Sequence, residues 1–207
     1  APILNDPDFI PNVVEHIRAA AIADRLILVS FRHDLLRQAK ALMPELRIGI
    51  LTLGDLLSMM LPPPVLWKDL GLVNSMDEPL DEENCPALRR QVDLVSSAIS
   101  DKLTLIAALY PHQSVREILQ TLSDQVDPAA YVQTLDFPVE YVSCEYHTAF
   151  RNPEVVNQLH AIGCKAAFWT VNTQNVVRSL LPLEPDCFVT DRPDTIRVWI
   201  EEARAET

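Results

Sequence analysis

The first part of the chain alternates amphipathic segments with short apolar runs. The amphipathic segments repeat their apolar residues every three or four positions, as a helix with one buried face does, and the apolar runs resemble buried strands. The four segments are the helix patterns at 7–25 and 32–46 and the strand patterns at 26–31 and 47–53. Strands that alternate with helices are typical of βαβ units, so this part predicts a parallel sheet.

The same alternation returns in the last third of the chain. The strand patterns are at 138–147, 164–172 and 186–190, and the helix patterns are at 152–163, 173–183 and from 192 onwards. Together with the first part, they predict an α/β fold in which parallel strands alternate with helices.

Residues 53–124 between these parts have a different pattern. They begin with a stretch rich in Pro and acidic residues and continue with two helical patterns, at 85–109 and 114–126. A connection between a strand and a helix usually takes only ~2 to 6 residues, so we expect a mostly helical insertion that forms a cap, a lid or an oligomer contact. With 207 residues, 48% of them hydrophobic, the chain is predicted to be a single domain over 1–207 that carries this insertion.

The net charge and the length of the apolar runs argue against several classes of function. The net charge is −12, which disfavours binding to nucleic acid or to anionic membranes. The apolar runs fall short of the ~20 residues of a membrane helix, and the opening residues show no signal-peptide pattern. The four cysteines are irregularly spaced without a C-x-x-C pair, so we expect reduced thiols and a cytoplasmic location.

Two motifs near the C-terminus, in this order, resemble a known family. Gly163 and residues 169–172 form a G-x-x-x-x-x-W-T-V-N segment, and residues 190–194 read T-D-R-P-D. They look like the carboxyl-terminal part of the glycerophosphodiester phosphodiesterase family. The strand ending in Ser-Phe, the helix and the Pro-Glu-Leu turn within residues 23–52 are similar to the same family. The resemblance covers about residues 8–52 and 128–198.

The resemblance implies part of a (β/α)8, TIM-barrel-like fold of the PLC-like phosphodiesterase type. It also implies hydrolysis of glycerophosphodiesters to glycerol 3-phosphate and an alcohol, with a divalent metal such as Ca or Mg. The family's H-R-G, E-x-D, H-D and E-x-K segments are not found here in their order and context; the letters of His33 and Asp34 fall in a later segment. We therefore expect the C-terminal half of such an enzyme, with no catalytic residue of its own and with the metal ligands outside this chain.

The remaining candidates are walls of a substrate pocket at the carboxyl ends of the strands. Trp169 and Phe31 could cover an apolar or cationic part of the substrate, and a choline head group would suit an aromatic face. His147 follows a strand and so faces the active end of a barrel, and Asn172 could bind a substrate hydroxyl or its own turn. Cys144 and His147 are two possible zinc ligands, but the sequence lacks the second pair of ligands that a structural zinc site needs. A buried Cys144 thiol beside a pocket-edge His147 is therefore the preferred interpretation.

Two functions are compatible with these observations. In the first, the chain contributes to a phosphodiesterase, and a partner chain or a homo-oligomer completes the barrel, since half a barrel leaves two strand edges unpaired. In the second, the protein is a noncatalytic, degenerate barrel that binds a partner through the insertion at 53–124. An unrelated small α/β enzyme is disfavoured, because the sequence has no Gly-rich phosphate loop and no G-x-S-x-G elbow.

Overall fold

The computed structural model describes residues 5–53, 61–89 and 97–205. The chain divides into two compact units. The sheet unit comprises residues 2–53 and 127–207, and the insertion unit comprises residues 54–126. This division falls close to the predicted ends of the insertion, while the single domain over 1–207 stays a prediction.

The sheet unit contains five strands in the predicted order, and the described helices of both units follow the predicted order except for two short additional ones, α5 and α6. The strands are β1 Ile27–Ser30, β2 Arg47–Thr52, β3 Tyr141–Glu145, β4 Lys165–Trp169 and β5 Cys187–Phe188. The α-helices are α1 Phe9–Ala20, α2 His33–Leu42, α3 Ser97–Leu109, α4 Val115–Asp124, α5 Pro128–Val132, α6 His147–Arg151, α7 Val155–Ala161, α8 Gln174–Leu180 and α9 Pro193–Ala205, of which α3 and α4 belong to the insertion unit.

The strands form one parallel sheet in the order of the sequence, β1-β2-β3-β4-β5. Each strand therefore pairs with its neighbour in the chain, as the strands of a (β/α)8 barrel do. The short β5 is extended by Val189, whose N–H donates to the Phe168 carbonyl and whose carbonyl accepts from the Val171 N–H, both at 2.9 Å. The predicted α/β fold with a parallel sheet is confirmed.

The two faces of this sheet have different composition because side chains alternate along each strand. The face that packs against the helices is aliphatic or aromatic and at most 1% exposed: Ile48, Ile50, Val142, Cys144, Ala166 and Phe168. We call the opposite side the concave face. It carries polar and charged residues next to small and apolar ones: Val29, Arg47, Gly49, Tyr141, Ser143, Glu145, Lys165, Ala167 and Trp169.

Two turns show how the chain enters its last strands. Gly163 follows α7 with φ +81°, a left-handed conformation that favours glycine, and the N–H groups of Gly163 and Cys164 close the helix end on His160 and Leu159 carbonyls. Before β5 the left-handed residue is Glu184, with φ 55°, and Pro185 follows it. Because Pro185 cannot take a positive φ, Glu184 supplies the left-handed conformation of this turn.

The described part of the insertion unit contains 3₁₀ turns at Pro64–Leu66 and Pro86–Arg89 in addition to α3 and α4. α4 begins with a capping box between Ser114 and Glu117. The buried Asn84 amide donates to three backbone carbonyls in the loop before it, those of Ser75, Glu78 and Pro79. Part of the helical pattern predicted at 85–109 lies outside the described residues.

Among the helices that the structure describes, none combines the length and the apolar composition that crossing a bilayer requires.

Candidate functional site

Two aromatic rings meet over the concave face at the carboxyl edge of the sheet. Phe31 follows β1 and Trp169 ends β4, and their ring centroids lie 5.3 Å apart in an edge-to-face arrangement. In a flat sheet, three strand spacings of about 4.8 Å would separate the two strands by roughly 14 Å. The two large side chains span this distance by reaching toward each other over the intervening strands, as side chains do on the inner side of a curved sheet, and the contact places the two predicted wall residues side by side.

Trp169 also binds the strand next to it. Its indole N–H donates to the Ser143 carbonyl at 3.0 Å, which holds the ring over β3. The Ser143 residue is 3% exposed, and its hydroxyl has no hydrogen-bond partner in the described structure. A buried hydroxyl without a partner is uncommon, so this position could accommodate a polar group of a ligand or a water molecule.

A carboxylate and a histidine form a pair at the end of β3. Glu145 is 4% exposed, and both of its carboxylate oxygens lie 2.9 Å from His147 Nδ1. The His147 backbone N–H also donates to Glu145 Oε2, at 2.9 Å. Glu145 is the cross-strand neighbour of Trp169. We refer to Phe31, Ser143, Glu145, His147 and Trp169 together as the carboxyl-edge cluster.

The His147 ring is held by two aromatic neighbours, Tyr146 directly before α6 and Phe150 within it. The Tyr146 ring stacks on it with centroids 4.2 Å apart, and the Phe150 ring meets it edge to face at 5.8 Å. The side chain of His147 remains 36% exposed. Its orientation is thus set by Glu145 on one side and by the aromatic rings on the other, while the far side of the ring stays accessible.

Asn172 lies in the loop after β4 and connects it to the loop after β5. Its amide nitrogen donates to Asp191 Oδ2 at 2.7 Å, and its amide oxygen accepts from the Thr190 hydroxyl and the Asp191 N–H, both at 3.0 Å. The side chain therefore holds two strand-end loops together. Its role in substrate binding stays a prediction.

His33 at the start of α2 is partly buried, and both of its ring nitrogens have hydrogen-bond partners. Its Nε2 lies 3.0 Å from the Leu51 carbonyl and its Nδ1 lies 2.8 Å from the Tyr131 hydroxyl. Burial lowers the pKa of His33 below its ordinary value, against the smaller opposing effect of the Leu51 carbonyl. Since that carbonyl can only accept, the neutral ring carries its proton on Nε2, and Nδ1 accepts from the tyrosine hydroxyl.

Cys144 and His147 lie on different sides of the sheet. Cys144 packs into the helix-facing core, and burial raises the pKa of its thiol to about 12. His147 contacts Glu145, whose side chain alternates to the concave face. Cys144 is therefore a buried thiol that does not form a pair of zinc ligands with His147, and the pocket-edge role of His147 stays a prediction.

The described residues do not form a divalent metal site by themselves. Within 5–53, 61–89 and 97–205 there is no group of three or more His, Cys, Asp or Glu side chains that could hold a metal ion. The one acidic side chain of the carboxyl-edge cluster, Glu145, is already engaged by His147. A hard cation needs several oxygen ligands, so this set of residues does not fit one.

Glu145 and Ser143 are the cluster members that sequence reasoning missed. Both were visible as alternate positions of a predicted strand, two and four residues before His147. That spacing places Ser143 and Glu145 on one face, opposite the aliphatic Val142 and Cys144. Acidic residues are rarely buried, so an acidic residue inside a predicted strand is the signal that could have identified Glu145.

Comparison with known proteins gives the family and the fold. A model of the glycerophosphoryl diester phosphodiesterase family matches residues 5–195. A crystal structure from Silicibacter pomeroyi, assigned as a glycerophosphoryl diester phosphodiesterase, superposes with a TM-score of 0.52 at 16% identity, over 94% of this chain and 44% of that one. A glycerophosphodiester phosphodiesterase from Parabacteroides distasonis gives a TM-score of 0.51 at 13% identity, over 98% of this chain and 54% of that one.

This chain thus spans about half the length of the solved structures that it matches. At such identities the likeness concerns the fold, and it agrees with the barrel-type α/β fold that the sequence predicts. No curated protein sequence matches the chain significantly.

Proposed function

The chain belongs to the glycerophosphoryl diester phosphodiesterase family, and on that premise we propose that it forms the later strands of a barrel hydrolase. The complete enzyme hydrolyses glycerophosphodiesters to glycerol 3-phosphate and an alcohol. The observation that carries the proposal is the contact between Phe31 and Trp169 at the carboxyl edge of a curved parallel sheet. In (β/α)8 enzymes this edge holds the substrate.

In this proposal the chain supplies walls of the substrate pocket. Trp169 and Phe31 cover an apolar or cationic part of the substrate, for which an aromatic face is suited. His147 contacts the substrate from the rim, since its ring is fixed and partly exposed. Asn172 lies at the carboxyl edge of the sheet, where its amide holds the loops after β4 and β5 together. None of these residues is assigned a catalytic step.

The divalent metal of the reaction, Ca or Mg, belongs to the rest of the complete enzyme. A hard cation would neutralise charge on the phosphoryl oxygens, and carboxylates would hold it. The described residues do not fit such a site, so we place its ligands outside this chain.

We further propose that a partner chain or a second copy completes the barrel. Val29 on β1 and Val189 after β5 are 49% and 44% exposed, at the two edges of the sheet. The unpaired edges of the parallel sheet and the exposed part of the concave face favour pairing with further strands. Sedimentation of the isolated chain together with thermal unfolding tests this: a monomer that unfolds cooperatively would contradict it. The four free cysteines, of which three are buried, support a reducing compartment such as the cytoplasm.

The interaction protein remains the second candidate, and one observation favours it. In the insertion unit, Val65, Leu66 and Leu70 are 81%, 41% and 48% exposed beside the buried Trp67. Exposed apolar groups of this kind occur at protein contact sites. In that case the complete protein would not hydrolyse glycerophosphodiesters.

The deciding experiment measures glycerol 3-phosphate release from glycerophosphocholine by the complete protein, with and without a chelator. We expect activity that the chelator abolishes and that Ca or Mg restores. Trp169→Leu should raise KM by about 3- to 30-fold, because it removes an aromatic contact with the substrate. Trp199→Leu on α9 is the matched control and should leave KM unchanged.

Three results would contradict the proposal. Activity that survives the chelator would exclude the metal-dependent scheme. Equal KM values for the two tryptophan variants would remove Trp169 from the pocket. Complete inactivity on a panel of glycerophosphodiesters would favour the interaction protein.

A further inference from the structure

The Glu145–His147 pair fixes which nitrogen of the His147 ring carries a proton. An ionised carboxylate only accepts hydrogen bonds, and both Glu145 oxygens lie 2.9 Å from His147 Nδ1. Nδ1 is therefore the donor, and in the neutral ring Nε2 holds the free lone pair. A carboxylate that orients an imidazole in this way is a common device for presenting the other nitrogen to a ligand.

The accepting nitrogen is held in place before any ligand arrives. Glu145 is 4% exposed and is fixed by the His147 backbone N–H as well as by the ring. Tyr146 and Phe150 pack on two sides of the imidazole and limit its rotation. No partner of Nε2 is found in the described part of the chain, and the side chain is 36% exposed. A preorganised acceptor of this kind loses little entropy when it binds a donor.

We propose that His147 accepts a hydrogen bond from a hydroxyl of the glycerol moiety of the substrate, and that Glu145 is the positioning residue for this contact. The inference rests on the proposed function, and it names the part of the substrate that this end of the pocket recognises.

The charge of the Glu145–His147 pair favours contact with a hydroxyl over contact with the other groups of the substrate. With a neutral imidazole, the pair carries one negative charge from Glu145, which disfavours direct contact with an anionic phosphoryl oxygen. A hydroxyl donates to Nε2 without that repulsion. A trimethylammonium group has no N–H or O–H to donate, so it suits the aromatic wall of Trp169 and Phe31 rather than His147.

The experiment follows the His147 ring nitrogens by ¹⁵N NMR while three ligands are added separately to the unmodified protein. The ligands are glycerol 3-phosphate, ethyl phosphate, which has the same charge but no free hydroxyl, and choline. We expect glycerol 3-phosphate to shift the Nε2 resonance, and we expect the other two ligands to leave it in place. This measurement needs no variant, so it does not depend on the folding of one.

Affinities of variants give the second readout. His147→Phe keeps an aromatic ring but removes the acceptor, and it should weaken glycerol 3-phosphate binding about 2- to 10-fold, the range of one hydrogen bond. Ethyl phosphate binding should not change. Glu145→Gln should weaken glycerol 3-phosphate binding in the same direction and increase the fraction of rings protonated on Nε2. His16→Phe, on the exposed side of α1, is the matched histidine control.

Three outcomes overturn the inference: glycerol 3-phosphate leaves the His147 nitrogens unshifted, His147→Phe weakens ethyl phosphate binding equally, or choline alone shifts Nε2. The proposed function fails separately. If the His147 response to glycerol 3-phosphate is present but the complete protein hydrolyses no glycerophosphodiester, the contact stands and the enzymatic role is lost.

Discussion

The two faces of the five-stranded sheet differ in what they contain and in how well they are packed. The helix-facing side consists of apolar residues that are almost fully buried, such as Ile50 and Phe168, both 0% exposed. The concave side carries an ion cluster of Arg47, Glu140 and Lys165 toward its amino edge and the carboxyl-edge cluster at the other edge, and Val29 on this side is 49% exposed. The first face stabilises the unit, and the second leaves room for other groups.

The ion cluster shows how the concave face tolerates charge. Arg47 donates twice to the Glu140 carboxylate, at 2.8 and 2.7 Å, and Lys165 lies 3.5 Å from the same group. Both cations also lie over the Tyr141 ring, at 5.7 and 5.1 Å from its centroid. Side chains that keep about one third of their surface in water need not lose their hydration. Such a face suits contact with polar ligands or further strands.

The largest loss of stability should come from truncating a side chain on the helix-facing side of the sheet. Phe168→Ala removes a fully buried ring and should lower the free energy of unfolding by about 3 to 5 kcal/mol. Val29→Ala is the control on the concave face and should cost less than about 1 kcal/mol, because that side chain is half exposed. Denaturant titration of both variants measures the difference. Similar losses would show that the two faces contribute equally.

A smaller effect should come from a tightly packed position on the concave side, Gly49. A Cβ at Gly49 would lie 2.7 Å from Val29 Cγ1 and 3.2 Å from Tyr141 Cβ. Gly49→Ala should therefore destabilise the protein by about 1 to 3 kcal/mol. The double variant with Val29→Ala should recover much of this loss, since it removes the closest atom. If the double variant is no more stable than Gly49→Ala, the crowding arises elsewhere.

Tyr131→Phe tests the polar contact between α2 and α5 within the sheet unit. It leaves the partly buried Nδ1 of His33 without its 2.8 Å partner and should cost about 1 to 2 kcal/mol. Thermal unfolding at constant pH measures it. Tyr146→Phe is a control that removes a phenol at the rim of the sheet, and a larger loss there would contradict the role given to Tyr131.

His33 also predicts a pH dependence of stability. Burial lowers its pKa in the folded protein, so the unfolded chain binds the proton more readily. The stability from His33 should be complete above its ordinary pKa of about 6.5 and should fall as the pH drops below that value. Unfolding midpoints between pH 8 and pH 5, compared with those of His33→Gln, measure this. A His33→Gln variant with the same pH profile would exclude His33 as the cause.

The smallest effect should come from the ion cluster. The hydrogen bonds from Arg47 lower the pKa of Glu140 below its usual value, so the stability from this carboxylate is present above pH 4.5 and is lost as the pH falls through the lowered pKa. Glu140→Gln should lower the unfolding midpoint slightly, and less in high salt. Asp77→Asn, in a largely exposed pair with Arg116, should have even less effect. A salt-independent loss would indicate packing rather than charge.

Much of the fold could be predicted from local pattern. The five strands fall inside the apolar runs, and the helices of the sheet unit fall inside the amphipathic segments, except for the short α5 and α6. Such short helices give too few turns for a periodic signal. The W-T-V-N and T-D-R-P-D motifs identify the family, because they retain residue types at fixed spacing.

The candidate site could be predicted only in part. Trp169 and Phe31 were visible as ring residues at strand ends, but their contact links two strands that are not neighbours. Asn172 was visible as a polar residue at a strand end, yet its amide binds Thr190 and Asp191. The order of residues does not give the partner of a side chain when several loops converge on one edge.

The sequence by itself determined the order of helices and strands, the parallel sheet and the family, because periodicity and motif spacing are properties of neighbouring residues. Tertiary structure decided which residues meet: the hydrogen bond between His33 and Tyr131, 98 positions apart, and the ring contact over the concave face. Both depend on the curvature of the sheet and the docking of helices against it, which many weak contacts set together and no short segment encodes.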